Sequence, residues 1–441
     1  MHRDRELWWL NPVWVSATMG IVLITAAYVV PDWMYRMYWR TPKLFDGAAL
    51  RVTFACLAAF VVGAAAGCVR RGPAVHNDDW KERIPWNFAI RFFNVSFYLT
   101  ILGYITWAAA AVSRGANLAL VMGVLRGDKG ASYAMKEVYL VTISGITTLT
   151  QFAIAIMVLG VLIGVAKGWR LVLPKFGILL IVTLFRALMN SERLALMELL
   201  VPAVVLVVRL MALGSPRFPA RFFPLLRIAP VLGSVGLIGV FGASEYFRSW
   251  INYYAGGDLS FWQFVSLRLL GYYVTALNNG ALLIQRIDPT GAPFFTLHLL
   301  WRFPILNSIA DTLWPSLALT SDETDPYMRY LSVEANPEFN NGGGYLLPII
   351  DFGFAGALLY WLLAGLACGV LYRMFQQKQL AGLLLYPITF TGIIELSRVI
   401  YWAEGRVFVP LVLLCAFIFC CTSYVRRHQS AERQLQWQPS P

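Results

Sequence analysis

The sequence predicts an all-α polytopic membrane protein, and three observations lead there. Only 14% of the 441 residues are charged, whereas soluble domains carry about a quarter. Hydrophobic residues make up 58% of the chain, and mean hydropathy is +0.61. Apolar runs of the ~17–25 residues needed to cross ~30 Å of hydrocarbon recur along it. In lipid such runs must be helical, because the backbone has to satisfy its own hydrogen bonds.

Ten spans are expected, near residues 13–31, 48–69, 92–112, 141–166, 173–189, 194–213, 225–243, 346–371, 381–400 and 407–425. The first keeps Trp8, Trp9 and Pro31 at its ends and shows no small-residue cleavage site, so it reads as an anchor rather than a signal peptide. Residues 70–91 are a polar connector. The segment 115–140, semi-apolar through Ala116–Leu125, is expected to hold an interfacial helix. The chain thus divides into spans one to seven (1–243), a large loop or cap (244–345), spans eight to ten (346–425) and a tail (426–441).

Lys and Arg in short loops set the orientation. Arg3 and Arg5, then Arg70, Arg71, Lys81 and Arg83, then Lys167, Arg170 and Lys175 fall on one side. Arg209, Arg217, Arg221, Arg227, Arg373, Lys378, Arg426, Arg427 and Arg433 join them. That side is read as cytoplasmic and carries both termini, which puts the cap outside. The outer side still keeps Arg36, Arg40, Lys43, Arg114, Arg126, Lys129 and Lys136. The net charge of +12 suits anionic headgroups. Its spread over many short loops, not one patch, argues against nucleic acid.

All six cysteines (Cys56, Cys68, Cys368, Cys415, Cys420, Cys421) fall in spans, and none of the four histidines has ligand spacing. No disulfide framework, metal or cofactor is expected. No internal repeat is visible, unlike the related halves of many transporters.

The cap is rich in aromatics, among them Phe261, Trp262, Phe264, Tyr272, Tyr273, Phe294, Phe295, Trp301, Phe303 and Trp314, which predicts a packed unit. Residues 261–283 have helical periodicity; Asp288-Pro289, Pro293 and Pro304 break the chain into shorter pieces. Ser321–Asp325 reads as an exposed turn, and Asn340-Asn341-Gly342-Gly343-Gly344 as a hinge before the eighth span.

Two groups of residues carry candidate chemistry. Arg186, Arg193, Arg398 and Arg406 lie at the outer ends of spans five, six, nine and ten. Intramembrane charge is costly and marks function by default, and the guanidinium fork suits a diphosphate. The alternative is snorkelling, or a local pair such as Glu395 with Arg398. The second group is acidic: Glu245, Asp311, Glu334, Glu338, Asp351 and Glu404. A carboxylate within reach of a hydroxyl can take its proton. The alternative is solvated or capping carboxylates, with Asp351 near the positive N-terminus of the eighth helix. His298 reads as a structural loop residue.

Several stretches resemble a known family. Gly145-Ile146-Thr147-Thr148-Leu149-Thr150-Gln151, then Arg186 followed by Glu192-Arg193-Leu194, resemble segments of bacterial oligosaccharide repeat-unit polymerases of the Wzy type. So do Arg268-Leu269-Leu270-Gly271-Tyr272-Tyr273 through Asn278-Asn279, Asn336-Pro337-Glu338-Phe339-Asn340, and Asp351-Phe352-Gly353 with Gly356. In order, they run from about 145 to 410.

The resemblance implies a GT-C-like, metal-independent glycosyltransferase, shared in kind with O-antigen ligases and cell-wall SEDS polymerases. Its substrates would be undecaprenyl-type polyprenyl-diphosphate-linked oligosaccharides for lipopolysaccharide or exopolysaccharide. It would sit in the bacterial inner membrane with its site facing the periplasm, and its partners would be a chain-length regulator and a flippase. Arg186 and Arg193 are carried over as diphosphate binders, with Arg302, Arg398 and Arg406 beside them. Glu338, Glu334 and Asp351 are the catalytic candidates, from local chemistry. The expected activity is polymerisation of repeat units; the alternatives are a ligase of the same chemistry or a flippase for the same lipid-linked sugars.

Overall fold

A computed structural model describes residues 7–69, 80–82, 84–143, 145–190, 194–212, 223–302, 304–314 and 326–436, and all its regular elements are helical. Arg193 and the Ser321–Asp325 turn lie outside the described residues, as do the side chains of Arg302 and Asp311.

Among the described residues, seven helices are long and apolar enough to cross a membrane: Pro12–Val29, Gly47–Cys68, Trp86–Ser113, Ile146–Lys167, Leu194–Ala212, Leu347–Gln376 and Gly405–Tyr424. The protein is therefore membrane-embedded and polytopic. The other three expected spans are shorter helices. Leu173–Met189 and Ala229–Glu245 have 17 residues each and Leu380–Glu395 has 16. At ~1.5 Å per residue such helices reach ~24–26 Å, short of a ~30 Å hydrocarbon core.

Local signals start several helices. Asn11 accepts from the Val13 amide ahead of Pro12, and Asp46 accepts from Ala48 and Ala49. Ser260 and Gln263 form a reciprocal capping box at Phe261–Arg286. Inside the expected interfacial segment, Asn117 caps Leu118–Arg126.

The tightest helix pair is Gly47–Cys68 against Leu347–Gln376. Gly63 packs on Leu362 and Leu366, Gly365 on Phe60 and Ala64, and Gly67 on Gly369, a small-xxx-small pattern on both partners. A Cβ on Gly63 would stand 2.0 Å from the Leu362 carbonyl oxygen, and one on Gly365 2.0 Å from that of Phe60. Phe60 faces Gly365 and Ala64 faces Gly369, so the helices run parallel.

The cap is organised by Phe261–Arg286, whose residues 274–283 are all buried. A helix buried on every face needs partners for any polar group it carries, and Asn278 and Asn279 have them. Asn278 accepts from the Leu44 and Phe45 amides and donates to the Pro42 carbonyl at 2.9 Å. Asn279 donates to the carbonyls of Phe339 at 2.6 Å and Asn341 at 3.0 Å. Gly342–Gly344, expected as a hinge, are instead buried and wedged. Gly343 has φ +69 and donates its amide to the Arg398 carbonyl, and a Cβ there would lie 2.6 Å from the Ala276 carbonyl oxygen. These glycines serve close packing. Part of the expected aromatic packing is a small separate core of Ala292, Phe294 and Trp301 with Phe295 and Trp314 against it.

Candidate functional site

Phe261–Arg286 places Arg268 in a setting that sequence reasoning quoted but did not select. Its side chain is 4% exposed, with Glu245 Oε2 3.7 Å from Nε. Its Nη2 donates to Glu338. The guanidinium also lies over the rings of Phe339, at 5.0 Å, and Tyr272, at 5.9 Å. Burial works against its charge, but the hydrogen bond and negative charge of Glu338 help to outweigh that, and its pKa is raised. A buried guanidinium without carboxylates would cost several kcal/mol. Glu245 is fully buried, whereas Glu338 is 40% exposed and is the member of the trio that reaches open space.

That space is a cavity of about 820 Å³, lined by Glu338. Its apolar wall includes Leu184 and Leu188 from Leu173–Met189, Leu196, and Val240 from Ala229–Glu245. Arg40, Asp128, Lys129, Ser132 and Ser249 supply polar groups. Arg40 ends the Asp32–Trp39 helix in the left-handed region, at φ 52. The preceding residue is clamped, since Trp39 donates from Nε1 to the Leu267 carbonyl and its own carbonyl accepts from Asn336. Lys129 lies 5.1 Å over the Tyr253 ring. The lining thus combines apolar side chains with two cations, Arg40 and Lys129, and two carboxylates, Asp128 and Glu338.

Three of the expected arginines have described partners. Arg186 donates to Thr150 Oγ1 at 3.4 Å and lies 5.6 Å from the Trp107 ring, so the threonine-rich stretch and Arg186 do meet. Arg398 pairs with Glu395 at 2.7 Å and lies over the Tyr272 and Tyr273 rings, both at 5.6 Å. Tyr272 is therefore shared between Arg268 and Arg398. Arg406 stands 3.8 Å from the buried Glu198. None of the three lines the large cavity; Arg40 and Lys129 do. Arg302 ends the short His298–Arg302 helix.

Two of the acidic candidates are held by neighbours. Glu334 is gripped by Arg286 through contacts of 2.6 Å and 3.0 Å. Asp351 is fully buried and accepts from the Phe295 amide at 3.0 Å and from the Thr296 amide and hydroxyl, both at 2.7 Å. Both its oxygens hold the 295–296 segment onto the start of Leu347–Gln376. Of the three catalytic candidates, only Glu338 lines the large cavity.

The sequence did carry a signal for Arg40 and Lys129. They belong to the basic residues that stand against the orientation rule, on the side where Lys and Arg are scarcer. Arg268 had no such mark, because an arginine on a helix with aromatic neighbours reads equally well as an exposed cap residue.

Compared with known protein families, with curated proteins and with solved structures, the chain matches none.

Proposed function

We propose that this chain is a membrane glycosyltransferase that polymerises polyprenyl-diphosphate-linked oligosaccharide repeat units at the outer face of the bacterial inner membrane. The observation that carries the reading is the mixed lining of the cavity: apolar helical side chains together with Arg40, Lys129, Asp128 and Glu338. A lipid diphosphate calls for such a mixture, with a hydrocarbon tail, an anionic junction and a sugar to be transferred.

In the proposed reaction the growing glycan on one lipid diphosphate is the donor. A hydroxyl of the non-reducing-end sugar on a second lipid-linked repeat unit attacks its anomeric carbon. The bond from that carbon to the phosphate oxygen breaks, and the lipid diphosphate leaves with the electron pair. Glu338 takes the hydroxyl proton, held in place by Arg268. Arg40 and Lys129 offset the charge that develops on the leaving diphosphate. Arg193, outside the described residues, stays a diphosphate-binding candidate through the family resemblance. A diphosphate is already a good leaving group, so positioning and charge stabilisation are the main demands on the protein.

The test is purified protein in liposomes given polyprenyl-diphosphate repeat units, with products resolved on a gel. A ladder supports polymerisation. One transferred species on a foreign acceptor turns the reading into a ligase, and no product on either acceptor removes the enzyme reading.

A further inference from the structure

The segment that presents Glu338 to the large cavity also lines a second one, of about 220 Å³, through Asn340, Asn341 and Gly342. Phe295 and Tyr327 form another wall, their rings at 86° with centroids 6.4 Å apart. His298 and Glu404 face this pocket as well, with Nδ1 and Oε1 3.8 Å apart and side chains 21% and 36% exposed. The pair links the cap to the start of Gly405–Gln436, two regions remote in sequence. None of these residues lines the large cavity.

We propose that this pocket binds a single pyranose ring, as a neutral-sugar subsite beside the diphosphate cavity; the placement rests on the glycosyltransferase reading above. Size is the first argument, because pockets for drug-sized ligands run to roughly 300–1,000 Å³ and this one is smaller. Its chemistry is the second. Aromatic rings offer apolar faces to the C–H side of a sugar, while a carboxylate, an imidazole and side-chain amides meet hydroxyls with both donors and acceptors. The Glu404 carboxylate disfavours phosphate, in contrast to the cavity with Arg40 and Lys129. Connection is the third argument. The Asn279 amide holds the carbonyls on both sides of Asn340, so the segment that carries Glu338 to one cavity and Asn340 to the other is held there, and a ring seated beside it is positioned relative to Glu338.

The probes are the methyl pyranosides of glucose, galactose, mannose and N-acetylglucosamine, offered at millimolar concentration to purified full-length protein in detergent. Saturation-transfer NMR reads their binding. At least one should receive saturation at its ring C–H protons. Glu404→Gln should weaken that binding about five-fold, the loss expected for one hydrogen bond. Phe295→Leu should weaken it similarly through the lost ring face, and inorganic diphosphate should not compete.

No transfer to any of the four probes, equal transfer in wild type and both variants, or displacement by inorganic diphosphate would each overturn the subsite. A sugar signal from a protein that makes no glycan product keeps the subsite and removes the glycosyltransferase reading. A ladder without a sugar signal does the reverse.

Discussion

Arg268 and Glu338 form an ion pair in which the arginine is 4% exposed and the glutamate 40%. One end is fixed inside the cap, against Glu245 and two aromatic rings, and the other opens on the large cavity. Such an arrangement turns a buried charge into an orienting device for an accessible one. It also makes the cap's stability depend on a buried residue. Removing Arg268 takes a cation from beside the buried Glu245, and breaking a buried pair from one side costs about 3–5 kcal/mol. Arg268→Met should lower the thermal midpoint of the detergent-solubilised protein accordingly, with Arg268→Lys recovering part of it. A loss below about 1 kcal/mol, as for an exposed pair, would show that the burial has been misread.

Glu338 and Asp351 should separate activity from stability. Glu338→Gln keeps size and shape, and general-base catalysis is worth about 10²–10⁴-fold, so the glycan ladder should fall by that factor. Asp351→Ala should instead cost stability, about 1–3 kcal/mol for each buried amide left without its acceptor. Proteolysis near residues 290–297, compared between the two variants, checks the second half. The assignment fails if Glu338→Gln makes a wild-type ladder.

Arg40→Ala and Lys129→Ala should each weaken binding of a polyprenyl diphosphate. The effect should shrink as salt rises, because screening shortens to ~8 Å at physiological ionic strength. Fluorescence binding to liposome-embedded protein at low and high salt measures it. Equal affinity of both variants and wild type at low salt would remove these two cations from the site.

Gly63→Val and Gly365→Val should disrupt the parallel helix pair, since each added Cβ meets backbone that cannot swing aside. Overpacking already costs about 1–3 kcal/mol against movable side chains, so a larger loss is expected here. Gly233→Val is the control, because nothing stands within 4 Å of a Cβ there. Thermal unfolding of the three variants decides it; three equal midpoints would contradict the close approach.

Asn279→Leu should loosen the segment shared by both cavities, because two backbone carbonyls lose their donor. Amide hydrogen exchange should speed up across residues 336–342 more than in the spanning helices. Unchanged protection in that segment would mean that other contacts hold it.

How much was legible depends on the range of each interaction. The Asn278-Asn279 pair was visible as a motif, but not its task, because Asn278 reaches Leu44 across 234 positions. The Gly-Gly-Gly run at 342–344 read as flexible because composition favours that, and packing against Ala276 and Leu396 overrode it. Glu395 with Arg398 was foreseeable, since three positions on a helical turn put them together. Arg406 with Glu198 was not, since no local rule joins two residues of different helices.

Hydropathy alone determined that the chain lives in a membrane as helices, where the first long departure from apolar sequence begins, and which residues are charged where charge is costly. These follow from one-dimensional rules: hydrocarbon thickness, rise per residue and the demand that every amide be satisfied. Only the tertiary structure decided which charges share a space. Arg268 finds Glu338 70 positions away, and Arg40 and Lys129 come to one cavity from the ends of two different helices, Asp32–Trp39 and Leu118–Arg126. A guanidinium takes whichever carboxylate or ring folding brings within a few ångströms, and that choice is made by packing in three dimensions.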